Sequence, residues 1–107
     1  MHTQRTLINQ LEKFTSEVKL MGIHLRKAVL YGSYAKNEQH KWSDIDLALV
    51  ADEFEGIGPE DVKLISKALI KFKNLDIQPR TYNTQDFSPE IDPFVGEILK
   101  TGIVIEG

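Results

Sequence analysis

The sequence contains no cysteine, so disulfide bonds, thiolate zinc sites and thiol catalysis are excluded. It also lacks an apolar run as long as a signal segment or a membrane span. From these two absences we expect a cytoplasmic protein that does not associate with membranes. Clustered positive charge is missing as well, because the formal net charge is -3 and the isoelectric point is about 5.6. That balance argues against stand-alone binding of a long nucleic acid, which relies on clusters of lysine and arginine.

The length of 107 residues, of which 41% are hydrophobic, is typical of one domain with one core, and we assign residues 1–107 to it. A chain of this size buries only about 60–70% of its unfolded surface. Association with an identical or a different subunit would therefore be unsurprising, and the sequence leaves both open. No internal repeat, low-complexity tract or linker interrupts the chain.

Two segments show the three- and four-residue spacing of apolar side chains that predicts helices packed on a core. The first ends near Gly22, and the second runs from Pro59 to about residue 73. A third, shorter helix is predicted from its cap at Asp92 to Gly102, with its apolar side chains inward. The apolar positions of the three helices are, in order, Leu7, Leu11, Phe14, Val18 and Met21; Val62, Ile65, Leu69 and Phe72; and Phe94, Ile98 and Leu99.

Four short apolar or alternating segments predict strands, at residues 28–31, 44–50, 75–78 and 103–105. We expect the third strand to stop at Pro79, because proline cannot donate a hydrogen bond to a sheet. The order of helices and strands predicts an α/β (α+β) fold in which a small mixed β-sheet is flanked by helices.

Two carboxylates are set into the apolar segment 44–50. Asp is disfavoured in strands, yet Asp44 and Asp46 stand two residues apart, so a strand turns both to one face. At a separation of about 4 Å and an effective dielectric constant of about 20, two such charges repel by roughly 4 kcal/mol. A bound divalent cation converts this repulsion into attraction. We therefore predict a magnesium site at Asp44 and Asp46.

Gly32 and Ser33 lie where the first strand ends, and residues 34–43 separate them from Asp44. Glycine lets the backbone approach a ligand closely, while the Ser33 hydroxyl and the free amides of a following helical turn favour phosphate. Mg²⁺ prefers one or two carboxylates together with phosphate oxygens and water. The phosphate-binding turn and the pair of carboxylates together predict a nucleoside triphosphate bound with Mg²⁺. Because the metal would neutralise the phosphate charge locally, a mildly acidic chain can bind such a ligand.

The pattern Gly32-Ser33, ten residues, then Asp44-x-Asp46 resembles the signature of the polymerase-beta-type nucleotidyltransferase superfamily. Within that superfamily the short chain is similar to the minimal nucleotidyltransferases. The segment 75–77, which contains Asp76, resembles the third acidic strand of the family, and residues 94–103 resemble its ending. The likeness extends over nearly the whole chain and implies the nucleotidyltransferase fold.

The resemblance also implies how the site works. Three acidic residues, Asp44, Asp46 and Asp76, would surround two Mg²⁺ ions, with ATP as the substrate. Asp76 would complete one metal site and take the proton of the incoming hydroxyl as general base. Gly32 and Ser33 would bind the outer phosphates.

One position departs from the family pattern, since Asn37 stands where the loop usually has glycine. Asparagine tolerates the left-handed backbone region better than other non-glycine residues, so we expect the turn to survive. Whether the change reduces activity is open. Lys36 keeps the basic position of the family loop, and both phosphate contact and plain solvation fit it.

Other cations also have alternative interpretations. Arg80 is predicted on the same face as Asp76, where it could offset carboxylate charge, touch a phosphate or form an exposed ion pair. The lysines of the second helix fit a solvated face or a substrate contact, and they are Lys63, Lys67, Lys71 and Lys73.

The resemblance implies transfer of AMP from ATP to a hydroxyl group. Among minimal nucleotidyltransferases it points to a tyrosine of a cognate, helical HEPN-domain toxin, so that the chain would act as an antitoxin. The alternative is a non-catalytic binding antitoxin that neutralises its partner by complex formation, since small size fits both. Transfer to a small molecule fits less well, because such enzymes generally need a further helical domain to enclose the acceptor. The sequence does not reveal the nucleotide preference or the number of nucleotides transferred.

Overall fold

The computed structural model describes residues 3–41 and 43–105, which contain four helices and four strands. Their bounds are α1 Gln4–Leu20, β1 Leu25–Tyr31, β2 Ile45–Ala51, α2 Gly58–Leu64, α3 Ser66–Lys71, β3 Ile77–Asn83, α4 Pro93–Thr101 and β4 Ile103–Val104. None of the helices in the described ranges is both long and apolar enough to cross a lipid bilayer.

The strands form one sheet in the order β3-β2-β1-β4. Strand β1 pairs antiparallel with both β2 and β4, whereas β2 and β3 are parallel and are joined by a crossover that contains α2 and α3. The predicted mixed sheet flanked by helices is therefore confirmed. The parallel pair brings the starts of β2 and β3 to the same end of the sheet, where β1 finishes.

The apolar stripe of α1 packs on one face of the sheet, as predicted. Leu7, Leu11, Phe14 and Val18 are all buried. The Thr3 hydroxyl caps the helix by accepting a hydrogen bond from the Thr6 amide at 3.2 Å. Burial of these four large side chains fixes α1 against the sheet and so determines where its first turn lies.

The predicted helix from Pro59 to about residue 73 is wrong in one respect, because the structure divides it into α2 and α3. Ile65, between them, has a φ of -117°, outside the helical range, although its side chain is fully buried. The sequence pattern does not reveal this break, because the apolar residues on both sides of it keep the three- and four-residue spacing of a continuous helix. The core position predicted for Ile65 is correct.

The prediction that the third strand stops at Pro79 is also wrong, because β3 continues to Asn83. The Ile45 amide donates to the Asp76 carbonyl at 3.0 Å, so in the parallel ladder the backbones of residues 78 and 80 face β2. The nitrogen of Pro79 then points away from β2, to the open edge of the outermost strand. Proline is tolerated there because no ladder hydrogen bond is lost.

Helix α4 begins and ends as predicted, but its inward face differs. The Asp92 carboxylate caps the helix by accepting from the Phe94 amide at 3.0 Å. Val95 and Ile98 are buried on the second face of the sheet, whereas Phe94 and Leu99 remain 39% and 43% exposed. Their predicted inward positions are wrong, because a helix of nine residues presents only one narrow stripe to the sheet.

Candidate functional site

The predicted site residues lie at the end of the sheet where β1 finishes and β2 and β3 begin. Tyr31, the last residue of β1, is paired with Asp46 in β2, and Asp46 is paired in turn with Gln78 in β3. Asp44 and Asp76 each come directly before a strand, β2 and β3 respectively, rather than inside it. The sheet register thus brings the acidic residues and the end of β1 to one place.

Gly32 follows β1 with a positive φ of +77°, a conformation that side chains disfavour. A Cβ atom added to Gly32 would lie 3.2 Å from Asp46 Cγ, 3.3 Å from Asp46 Cβ and closer still to Oδ2. The backbone at Gly32 therefore packs directly against the Asp46 carboxylate. Both the dihedral angle and the lack of space require glycine here.

Residues 33–37 form the helical turn predicted after Gly32. It ends as a Schellman motif, because the Glu38 amide donates to the Ser33 carbonyl at 2.8 Å and the Asn37 amide donates to the Tyr34 carbonyl at 3.2 Å. Asn37 occupies the left-handed position of this motif with a φ of 56°. The expectation that asparagine can take the place of the usual glycine is confirmed for the backbone.

The turn is held in place by contacts that sequence reasoning missed. The Tyr34 side chain is only 3% exposed and belongs to the main core. The Gln4 amide group, from the first turn of α1, donates to the carbonyls of Tyr34 at 2.8 Å and Ala35 at 3.3 Å. These two anchors lie about thirty residues apart in sequence, so no local motif links them. They keep Ser33 next to the end of β1.

Asp46 and Asp44 interact through their charges. Partial burial raises the pKa of the Asp46 carboxyl above its usual value, and the negative charge of Asp44 raises it further. Asp46 is half-buried and Asp44 is exposed. A pair of carboxylates that destabilise each other's charge attracts a cation, and hard oxygen ligands suit Mg²⁺.

Asp76 is at the same end of the sheet but is not gathered with the other two. It is exposed, and its Oδ1 accepts a weak hydrogen bond from the Gln78 amide group at 3.4 Å. Among the described residues, no group of three or more acidic or histidine side chains has an arrangement that could hold a metal ion. A three-carboxylate site that includes Asp76 therefore stays a prediction.

An open cavity of about 380 Å³ adjoins Gly32 and Asp46. Lys36 lines it, which puts this lysine beside the acidic site, and α4 supplies the opposite wall. Ser33, Asp44 and Asp76 are not part of its lining. The complete lining is Tyr31, Gly32, Lys36, Asp46, Phe94, Glu97, Ile98 and Thr101. Phe94 and Glu97 therefore lie beside the candidate site, which the sequence analysis did not predict.

Comparisons with known proteins bear on the family and the fold of the chain. The sequence profile of the family described as polymerase beta, nucleotidyltransferase matches residues 8–106. Comparison with curated proteins gave no match. The structure is similar to the 1.40 Å crystal structure of a candidate nucleotidyltransferase from Sulfolobus solfataricus, with a TM-score of 0.66 and 13% sequence identity. That similarity covers 95% of this chain and 81% of the other, and at this identity it concerns the fold alone.

Proposed function

This chain belongs to the polymerase beta nucleotidyltransferase family, and we propose on that basis that it transfers AMP from ATP, with Mg²⁺, to a hydroxyl group of a partner protein. The observation that carries the proposal is the contact between Gly32 and Asp46. The Gly32 backbone lies against the Asp46 carboxylate and both line an open cavity, so a phosphate chain bound in that cavity would lie close to the backbone and beside a metal ligand.

The residues at this end of the sheet fit Mg²⁺. Asp44 and Asp46 would hold the ion, and Asp76 would join them, because their carboxylate oxygens are the donors that Mg²⁺ prefers and their mutual repulsion favours a bound cation. When bound, Mg²⁺ neutralises phosphate charge and stabilises the charge that develops during displacement at phosphorus. Besides the metal, nucleotidyl transfer requires groups that bind the phosphates and a group that accepts the proton of the hydroxyl.

The residues of the chain can supply both. The Ser33 hydroxyl would donate to a phosphate oxygen, and the Lys36 ammonium would add positive charge from the cavity wall. Asp76, exposed at the start of β3, would take the proton of the acceptor hydroxyl. The acceptor oxygen then bonds to the α-phosphorus, the bond to the bridging oxygen breaks, and pyrophosphate leaves.

The acceptor that we propose is a tyrosine hydroxyl of a helical HEPN-domain toxin, whose activity the added AMP would block. The support is the resemblance to minimal nucleotidyltransferases, together with the open shape of the cavity, which a side chain presented by another protein can enter. On this proposal the chain is an antitoxin that acts by chemistry.

The test is made on the native complex. The protein would be purified from its own cells with whatever protein binds it, incubated with ATP and Mg²⁺, and the partner weighed by intact mass spectrometry. We expect the mass of one or more adenylate groups on a tyrosine. Asp46→Asn should abolish the gain, whereas Asp86→Asn, which changes an exposed aspartate in the connection between β3 and α4, should leave it intact. No added mass on any bound protein would refute the proposal.

A binding antitoxin without chemistry is the second candidate, and exposed apolar side chains favour it. Leu20 at the end of α1 is 82% exposed and Ile70 in α3 is 67% exposed, so both side chains are available for contact with a partner. The Asp46→Asn variant separates the two functions, since masking of a partner requires no metal. If this variant neutralises the partner as well as the unaltered protein does, the binding function replaces the catalytic one.

A further inference from the structure

Arg80, near the middle of β3, is held in a fixed position by two neighbours. Its Nε donates to the Tyr82 hydroxyl at 2.8 Å. Its guanidinium carbon lies over the ring of Phe94, 4.7 Å from the centroid, which is the geometry of a cation–π interaction. Tyr82 is largely buried, and Phe94, in the first turn of α4, packs edge to face on Tyr31.

The positive charge of Arg80 has no ion-pair partner in the part of the chain that the structure describes. Arg26 provides the contrast, because its guanidinium is paired with the Asp52 carboxylate. Both arginines are exposed, but only Arg26 forms a direct ion pair with a carboxylate, whereas the negative charge of Asp92 acts on Arg80 without an ion-pair contact. The hydrogen bond to Tyr82 uses Nε, and this leaves the two terminal nitrogens of Arg80 with their donors in the fork that matches a phosphate.

The position of Arg80 relates it to the candidate site. It is paired with Ala48 in β2, while Asp46 is paired with Gln78, so Arg80 and Asp46 are diagonal neighbours on one face of the sheet. From the spacing of strands and residues, their Cα atoms are about 8 Å apart. The Tyr31 hydroxyl lies within the influence of both, since the charge of Asp46 raises its pKa and that of Arg80 lowers it, although burial is the largest cause.

The contact between Arg80 and Phe94 links Arg80 to the cavity of the candidate site. Phe94 lines the cavity that contains Gly32, Lys36 and Asp46, and its ring also meets Tyr31 edge to face with centroids 5.7 Å apart. Arg80 is not part of the lining of that cavity; it lines a neighbouring cavity of about 480 Å³ along β3, and the ring of Phe94 is in contact with both Arg80 and the first cavity. A guanidinium held in such a place costs little further entropy when it binds an anion, because its side chain is already ordered.

We propose that Arg80 contacts a phosphate group of the bound nucleotide and is a further nucleotide-binding residue of the site. This inference rests on the proposed function. It selects, from the three roles that the sequence left open for Arg80, the phosphate contact. The planar fork of arginine would add two-point recognition of a phosphate to the point charge of Lys36.

The test is calorimetric titration, in Mg²⁺, with two probes that cannot react: an ATP analogue with a methylene between the α- and β-phosphorus, and inorganic tripolyphosphate. Arg80→Gln should weaken both by about 10- to 100-fold, the range for a lost hydrogen bond to a charged group. Arg80→Lys should recover part of the loss. Arg26→Gln, which removes an equally exposed arginine whose charge is paired with Asp52, should bind within about twofold of the unaltered protein.

The outcomes separate this inference from the function on which it rests. Equal binding by Arg80→Gln and the unaltered protein would overturn the inference alone. A loss confined to the ATP analogue, with tripolyphosphate unaffected, would also overturn it, because the contact would then be to the base or the ribose. If the unaltered protein binds neither probe, the proposed function and the inference fail together.

Discussion

Gly32 and Asp46 fit against each other so closely that no side chain can be placed between the backbone of one and the carboxylate of the other. Gly32 also has a positive φ of +77°, so both its backbone conformation and the lack of space for a side chain require glycine. At Gly22, at the end of α1, only the backbone conformation favours glycine, since its φ is +87° but no atom lies within 4 Å of where its Cβ would be. The two glycines form a matched pair for experiment.

Substitution of Gly32 by alanine should abolish nucleotide binding and transfer. The left-handed backbone costs an alanine about 1–2 kcal/mol, and the new methyl group turns the Asp46 carboxylate aside. Gly22→Ala carries the backbone cost without the clash, so by urea denaturation it should lose about 1–2 kcal/mol of stability but keep full transfer. Equal transfer by the two variants would show that the contact between Gly32 and Asp46 does not matter for function.

Asp46→Asn should stabilise the fold while it removes function. The pKa of Asp46 is raised in the folded protein by burial and by Asp44, so the folded state holds this proton more tightly than the unfolded state. The contribution of Asp46 to the free energy of unfolding should therefore fall as the pH rises from about 3.8 through the folded pKa, and then level off, while the lowered pKa values of Asp52 and Glu53 contribute in the opposite direction in both proteins. The variant should lack this part of the decline. Urea denaturation of both proteins between pH 3.5 and pH 7 measures the difference, and parallel curves would contradict it.

Asn37 should be replaceable by glycine but not by alanine. Because its φ is 56°, Asn37→Gly relieves the strain and should change the free energy of unfolding by less than about 0.5 kcal/mol, with transfer unchanged. Asn37→Ala should cost about 1 kcal/mol, since alanine lacks the polar side chain that makes this region accessible. Thermal unfolding compares the three proteins. A large gain in transfer by Asn37→Gly would mean that the natural asparagine does reduce activity.

Asp61 should be the most sensitive polar residue of the fold. It is 1% exposed, and its carboxylate accepts from the amides of Glu55 and Gly56, both at 2.9 Å, and from the Thr81 hydroxyl at 2.8 Å. Asp61→Ala leaves three donors without an acceptor and should cost about 2–4 kcal/mol by urea denaturation. Thr81→Val removes one donor and should cost less than half as much. A loss below 1 kcal/mol for Asp61→Ala would indicate that water replaces the carboxylate.

The predictions that succeeded depend on short stretches of chain. The stripe of α1 follows from the helical repeat, and the left-handed backbone at Asn37 follows from the identity of the residue. In both cases the physical cause lies within a few residues. Asp44, Asp46 and Asp76 lie at one end of the sheet because β2 and β3 are parallel, but a metal site made of all three stays a prediction.

The predictions that failed depend on contacts between distant parts of the chain. Pro79 was expected to end a strand, but its effect depends on which side of β3 carries the neighbouring strand, and the sequence does not specify that. Phe94 was expected in the core. Instead, its ring packs against Tyr31 in β1 and Arg80 in β3, and both residues are far from Phe94 in sequence. Gln4 gave no local signal, because its partners are about thirty residues away, and the contact of Asp61 with Thr81 spans twenty residues, although its other two partners, Glu55 and Gly56, lie close in sequence.

The position of Pro79 has a consequence for association with other molecules. An outermost strand with free backbone groups is a template on which another chain can add a strand, and this is how many proteins aggregate. In β3 one of the outward positions carries no N–H at all, so an added strand would lose a hydrogen bond near the middle of the edge. Pro79 therefore weakens the addition of a further strand at the β3 edge of the sheet.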